Sequence, residues 1–121
     1  MSDITVYGAT GLVGQLVARY LASINAPSVT LAGRNRPVLA ALRDELNQHW
    51  DIDIAAADDA DAVEHMVEHT KVLITVIGPY SLYGDNVVAA CARHGVDYVD
   101  LCGEVPFIRR SIDSHHAVAE S

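Results

Sequence analysis

Strand-like and helix-like segments alternate without a break along these 121 residues, and that order constrains the fold more than any single motif. Ile4 to Tyr7 is a short β-rich run ending at Gly8. A helical spacing follows from Leu12, with Val13, Leu16, Val17, Tyr20, Leu21 and Ile24 three or four apart, until Pro27 disfavours helix at the residue before it. Ser28 to Ala32 reads as a second strand. Pro37 suits the first turn of a second helix, whose buried stripe is Leu39, Leu42 and Leu46. Asp51 to Ala57 predicts a third, weaker strand, and Asp59 to His69 a short polar helix with acidic residues in its first turn. Val72 to Ile77 is apolar almost throughout, as a central strand covered on both faces should be. A helix over Asp85 to His94 with Gly95 as its left-handed cap, a strand over Tyr98 to Leu101 and a helix opened by Pro106 complete the series. The alternation predicts an α/β fold: one doubly wound parallel sheet in a single domain over residues 1–121.

The glycines then say what such a sheet is for. Gly8, Gly11 and Gly14 fall in a G-x-x-G-x-x-G pattern in the first strand-to-helix turn. The first lets the chain turn off the strand, the second lets a pyrophosphate approach the main chain, and the third lets the helix pack closely. Free N–H groups around Leu12 and Val13 would meet the phosphate oxygens, with the Thr10 hydroxyl as a further donor. In this position the motif predicts a nucleotide-binding Rossmann domain.

A dinucleotide site for NAD places an acidic residue roughly 20 positions further on, against the ribose 2′-hydroxyl. The corresponding stretch here is Leu31-Ala32-Gly33-Arg34-Asn35-Arg36, which holds no carboxylate. Arg34 and Arg36, with Asn35 between them, suit the extra phosphate of NADP(H), since guanidinium groups bind phosphate through charge-assisted hydrogen bonds. The chain has 16 acidic and 8 basic residues and a net charge of −8, so two arginines in one strand end stand out, and nucleic acid is excluded as a partner.

Other strand ends face the same crevice in an open α/β sheet. Asp58 and Asp59 are placed to accept from an adenine amino group, with Asp59 also a candidate N-cap. Gly78 and Pro79 suit a close approach of the second ribose, with Tyr80 and Tyr83 beside it, and Glu104 follows the fifth strand. Tyr80 and Glu104 are the polar groups to consider as catalytic helpers. No Tyr-x-x-x-Lys pair exists, because Gly84, Val87 and Cys102 stand four residues after Tyr80, Tyr83 and Tyr98. Cys91 and Cys102 read as packed thiols. His65 and His69 have the spacing of a metal pair, but no third ligand is evident, so they read as a solvated face, as do His115 and His116; no metal is expected. No leader and no membrane-length apolar run is present, which predicts a cytoplasmic protein without a transmembrane segment.

Four segments in order carry a family resemblance: Tyr7-Gly8-Ala9-Thr10-Gly11; Leu31 to Asn35; Gly78-Pro79-Tyr80 with Tyr83-Gly84; and Tyr98 to Phe107. Together they resemble the N-terminal domain of saccharopine dehydrogenase-like oxidoreductases, and within that family the trans-acting enoyl reductase branch. The resemblance implies NADP(H) held at residues 8–14 with its 2′-phosphate near Arg34, and hydride delivery to an enoyl lipid intermediate in the complete protein. It also implies a substrate-binding, dimerising domain beyond these 121 residues, without which the chain is expected to be inactive. A module that senses NADP(H) without turning it over is the alternative.

Overall fold

A computed structural model describes residues 2–77, 84–100 and 104–120, with the side chains of residues 105 and 106 left aside. Among these residues five strands, β1 (Ser2–Tyr7), β2 (Val29–Gly33), β3 (Asp51–Ile54), β4 (Thr70–Thr75) and β5 (Asp97–Val99), form one sheet. Five helices alternate with them: α1 (Leu12–Ser23), α2 (Arg36–Glu45), α3 (Ala60–Glu68), α4 (Asp85–His94) and α5 (Val105–Glu120). The sheet runs β3-β2-β1-β4-β5 with every pair parallel, so the strand order reverses between β1 and β4. This is the predicted doubly wound sheet.

The two-residue period of the strands distributes the apolar side chains between two cores. Val6 and Leu31 enter one, with Ala18 and Leu21 of α1, Leu39 and Leu42 of α2, and Trp50. Their neighbours Tyr7 and Ala32 enter the other, with Val63, Met66 and Val67 of α3, Ala90 and Cys91 of α4, and Leu73. Trp50 drew no attention in the sequence, yet it is 4% exposed and its indole N–H donates to the Ala26 carbonyl at 3.2 Å. Burial pushes the Cys91 thiol up to about 12, so it serves as a packed apolar group.

Several boundaries differ from expectation. β3 ends at Ile54 and not Ala57: Ile54 pairs with Gly33, the last residue of β2, and the Ala55 N–H makes a final bond to the Gly33 carbonyl at 2.8 Å. β4 begins at Thr70, two residues early, and its ladder stops at Thr75. α3 is amphipathic, since Val63, Met66 and Val67 are buried. His115 is not a solvated residue: it bridges α5 to the first residue of α4, with Nε2 3.1 Å from Asp85 Oδ1.

The largest departure concerns α1. Its buried residues are Gly14, Ala18 and Leu21, whereas Leu12, Leu16, Tyr20 and Ile24 are 80%, 60%, 64% and 54% exposed. Arg19 pairs with Glu45 of α2 at 3.0 Å, so the flank of α1 carrying Val13, Tyr20 and Ile24 turns away from α2. On the same face of the sheet Val72 and Ile74 of β4 are only half-buried and Val99 of β5 is 48% exposed. Helices α3, α4 and α5 lie on the opposite face, so no described helix covers this half.

Candidate functional site

The reversal of strand order puts the C-terminal ends of β1 and β4 side by side, the position at which open α/β sheets bind their ligands. Gly8 turns off β1 with φ +87°, a left-handed conformation, and a Cβ on it would lie 2.7 Å from Ile77 Cγ1. The turn is anchored to β2, because the Gly8 and Ala9 N–H groups donate to the Ala32 carbonyl at 3.0 and 3.3 Å. Gly14 lies against the turn so closely that an added Cβ would sit 2.1 Å from the Gly8 carbonyl oxygen.

Gly11 differs from both. It has ordinary extended angles, φ −72° and ψ 169°, and a Cβ there would meet only the Gly8 oxygen, at 3.5 Å. Among the described residues nothing requires glycine at that position. Gly11 is also the N-cap of α1, and it supplies no side chain to the first-turn N–H groups. No backbone acceptor within the chain takes the Leu12, Val13 or Gly14 N–H among the described residues, and the first turn carries no acid. By contrast, α2 and α3 are capped by Asn35 and Asp59, whose side chains accept from Val38 and Ala62 at 3.3 and 3.1 Å. Thr10 is half-exposed beside this opening, and its carbonyl accepts from Gln15 Nε2 at 2.9 Å.

One strand away, β2 ends at Gly33 and the chain passes into Arg34, Asn35 and Arg36, all exposed. The other basic side chains of the protein are occupied. Arg19, Arg43, Lys71, Arg93 and Arg109 each pair with a carboxylate, and Arg110 lies over the Phe107 ring. Among the described residues Arg34 and Arg36 alone of the eight make no ion pair, side-chain hydrogen bond or ring contact. Asn35 is not free in this way, because its side chain caps α2.

The remaining sequence candidates are divided. Asp59 is committed to capping α3, and Asp58 is exposed at the turn before it. Glu104 is half-buried at the start of α5, its carbonyl accepting from Ile108 N at 3.1 Å. Gly78, Pro79, Tyr80, Tyr83 and Cys102 lie outside the described residues. Two further side chains tie down the chain that follows β3. Asn86 donates from Nδ2 to the Ala57 carbonyl at 3.2 Å, tying α4 to the end of β3. Tyr7 is fully buried beneath the glycine turn, and its hydroxyl donates to the Ala55 carbonyl at 2.8 Å.

Burial, and then the nearby Asp58 and Asp59 charges, push the Tyr7 hydroxyl up to about 12. Because the folded form holds this proton more tightly than the unfolded chain does, the associated stability is intact below about pH 10 and is lost as pH rises through 12. A spectrophotometric tyrosinate titration should therefore show one of the five tyrosines ionising only with unfolding. Tyr7→Phe should abolish that late step.

Residues 4–121 match the family described as the saccharopine dehydrogenase NADP binding domain. The chain belongs to that family. Its cofactor is accordingly NADP(H). The trans-acting enoyl reductase of Mycobacterium leprae (strain TN) is 45% identical over 121 residues, and that of Mycobacterium ulcerans (strain Agy99) is 41% identical. Each alignment takes in 97% of this chain and 29% of the relative, so the chain spans under a third of the proteins it matches. Among solved structures, apo saccharopine dehydrogenase (L-Glu forming) from Saccharomyces cerevisiae superposes with a TM-score of 0.76 at 24% identity, covering 91% of this chain and 24% of that one. Citrobacter sp. triphenylmethane reductase complexed with NADP(H) gives 0.71 at 20% identity, covering 98% and 45%. These two likenesses establish the Rossmann fold. No described helix is long and apolar enough to cross a membrane.

Proposed function

We propose that this chain is the cofactor-holding domain, over residues 1–121, of a cytoplasmic trans-acting enoyl reductase that acts on a lipid-type enoyl intermediate. The observation that supports the cofactor assignment is the pair Arg34 and Arg36, exposed at the end of β2 and without side-chain partners among the described residues. A dianionic ribose 2′-phosphate is the group that such a pair recognises. Gly8, Thr10, Gly11, Leu12, Val13 and Gly14 form the pyrophosphate seat. There the open Gly11 position admits the ligand to the main chain, and the uncapped first turn of α1 supplies N–H donors at the positive end of the helix dipole. Asp58 and Asn35 are assigned to the adenosine half, and Gly78 and Pro79, outside the described residues, to the nicotinamide half from their position in the sequence after β4.

NADP(H) when bound supplies the hydride. The chain's own residues bind, orient and exclude water along one side of the cofactor. Tyr80 and Glu104 are the polar groups nearest in sequence to the reacting end. Substrate selection, and any homodimer, belong to the part of the longer relatives that this chain does not span.

Titration calorimetry on the chain should give NADPH binding at least about tenfold tighter than NADH, the worth of one charge-assisted contact. Equal affinities would remove the arginine argument.

A further inference from the structure

We propose that the C-terminal turn of α3 carries a surface site for a zinc-class divalent transition-metal ion, held by His65, Glu68 and His69. In the sequence only the two imidazoles were apparent. The fold adds the third donor, because a helical turn brings positions 65, 68 and 69 onto one exposed face. One ligand atom from each lies within 4.8 Å of the other two. Bonds of about 2.1 Å at tetrahedral angles need separations of about 3.4 Å, a closure within reach of exposed side chains by small rotations about χ.

The second observation concerns orientation. His69 Nδ1 lies 2.7 Å from the His65 carbonyl oxygen, and since a carbonyl only accepts, Nδ1 carries the proton. Nε2 is then the ring nitrogen left to bind a metal. Metal-bound histidines are held this way, with the far N–H on a backbone carbonyl that fixes tautomer and ring plane. The His65 and His69 ring centroids are 4.4 Å apart at 45°, so the two rings already converge.

Neighbouring charges favour the same site. Glu64 is engaged elsewhere, its carboxylate accepting hydrogen bonds from Arg93 and His94 of α4. Among the described residues Glu68 has one distant ionic neighbour, His94 Nε2 at 3.9 Å, which leaves its carboxylate to the imidazole pair. His69 is the C-cap of α3, so a cation there also meets the negative end of the helix dipole. Two imidazoles and one carboxylate are borderline donors, suited to zinc and its neighbours rather than to calcium or magnesium.

The hydrogen bond from His69 is also a helix cap, and the test separates cap from ligand. Zn²⁺ is titrated calorimetrically into the 121-residue chain in a non-chelating buffer, alongside H65A, E68Q and H94A. His65→Ala leaves the His69 cap in place and removes one ligand. It should lower Zn²⁺ affinity at least about tenfold while leaving the metal-free melting temperature unchanged. E68Q should weaken binding less, and H94A should leave it intact. The proposal is overturned if no saturable one-to-one binding is seen, if H65A binds like the parent, or if H94A rather than H65A abolishes binding.

Discussion

Gly14→Ala is expected to destabilise the chain by about 3 kcal/mol, a fall of roughly 10 °C in Tm, although alanine is the better helix former. A methyl at this position would sit 2.1 Å from the Gly8 carbonyl oxygen and 2.7 Å from Ala9 Cα. Both are backbone atoms of the turn, so no rotamer change relieves the overlap; α1 must move away from β1. The gain from replacing glycine inside a helix is only about 1 kcal/mol, and a backbone clash of this depth exceeds it. Gly11→Ala is the informative partner. Its methyl meets nothing nearer than 3.5 Å, so the melting temperature should stay within a degree or two while NADPH and NADH affinities both fall. If thermal melts show Gly14→Ala as stable as the parent, the close approach of helix and strand described above is wrong.

The second large effect is on cofactor choice. Replacing Arg34 and Arg36 together with alanine should weaken NADPH roughly 100-fold, taking about 1.5 kcal/mol for each charge-assisted contact, and leave NADH nearly unchanged. Neither side chain supports the fold through any partner among the described residues, so the variant should melt like the parent. Calorimetric titration of the double variant with both cofactors reads the effect. An equal loss for NADH would mean that the arginines organise the α2 start rather than select phosphate. Asn35 is a poorer probe, because removing its cap on Val38 disturbs α2 directly.

Most of the architecture was legible because each strand and helix boundary carries its own local chemistry. Gly95 takes the left-handed angles expected of a helix terminator, φ 66° and ψ 31°, and the Gly8 turn adopts the positive φ its position requires. What stayed hidden depends on neighbours far along the chain. β3 stops at Ile54 because β2, its partner, has already ended at Gly33. Trp50 is buried by a carbonyl contact with Ala26, 24 residues away. The periodicity of α1 was read correctly as helical, but it could not say which side of the helix meets the sheet. The buried side is that of Gly14, Ala18 and Leu21, and it begins with a glycine because a Cβ at position 14 would meet the backbone of the turn that follows β1. At the site, the motif gave the glycine turn and the arginines. Only coordinates could show that Gly11 faces open space, or that every other basic side chain already has a partner.

The uncovered flank of α1 with the outer half of the sheet also governs how the chain behaves in solution. A surface that includes Leu16, Tyr20, Ile24 and Val99 is adhesive by nature, and what keeps identical molecules dispersed is mutual repulsion from a net charge of −8. Acidification neutralises the carboxylates and leaves the oily flank untouched, so dispersal fails on the acidic side well before the two cores are at risk.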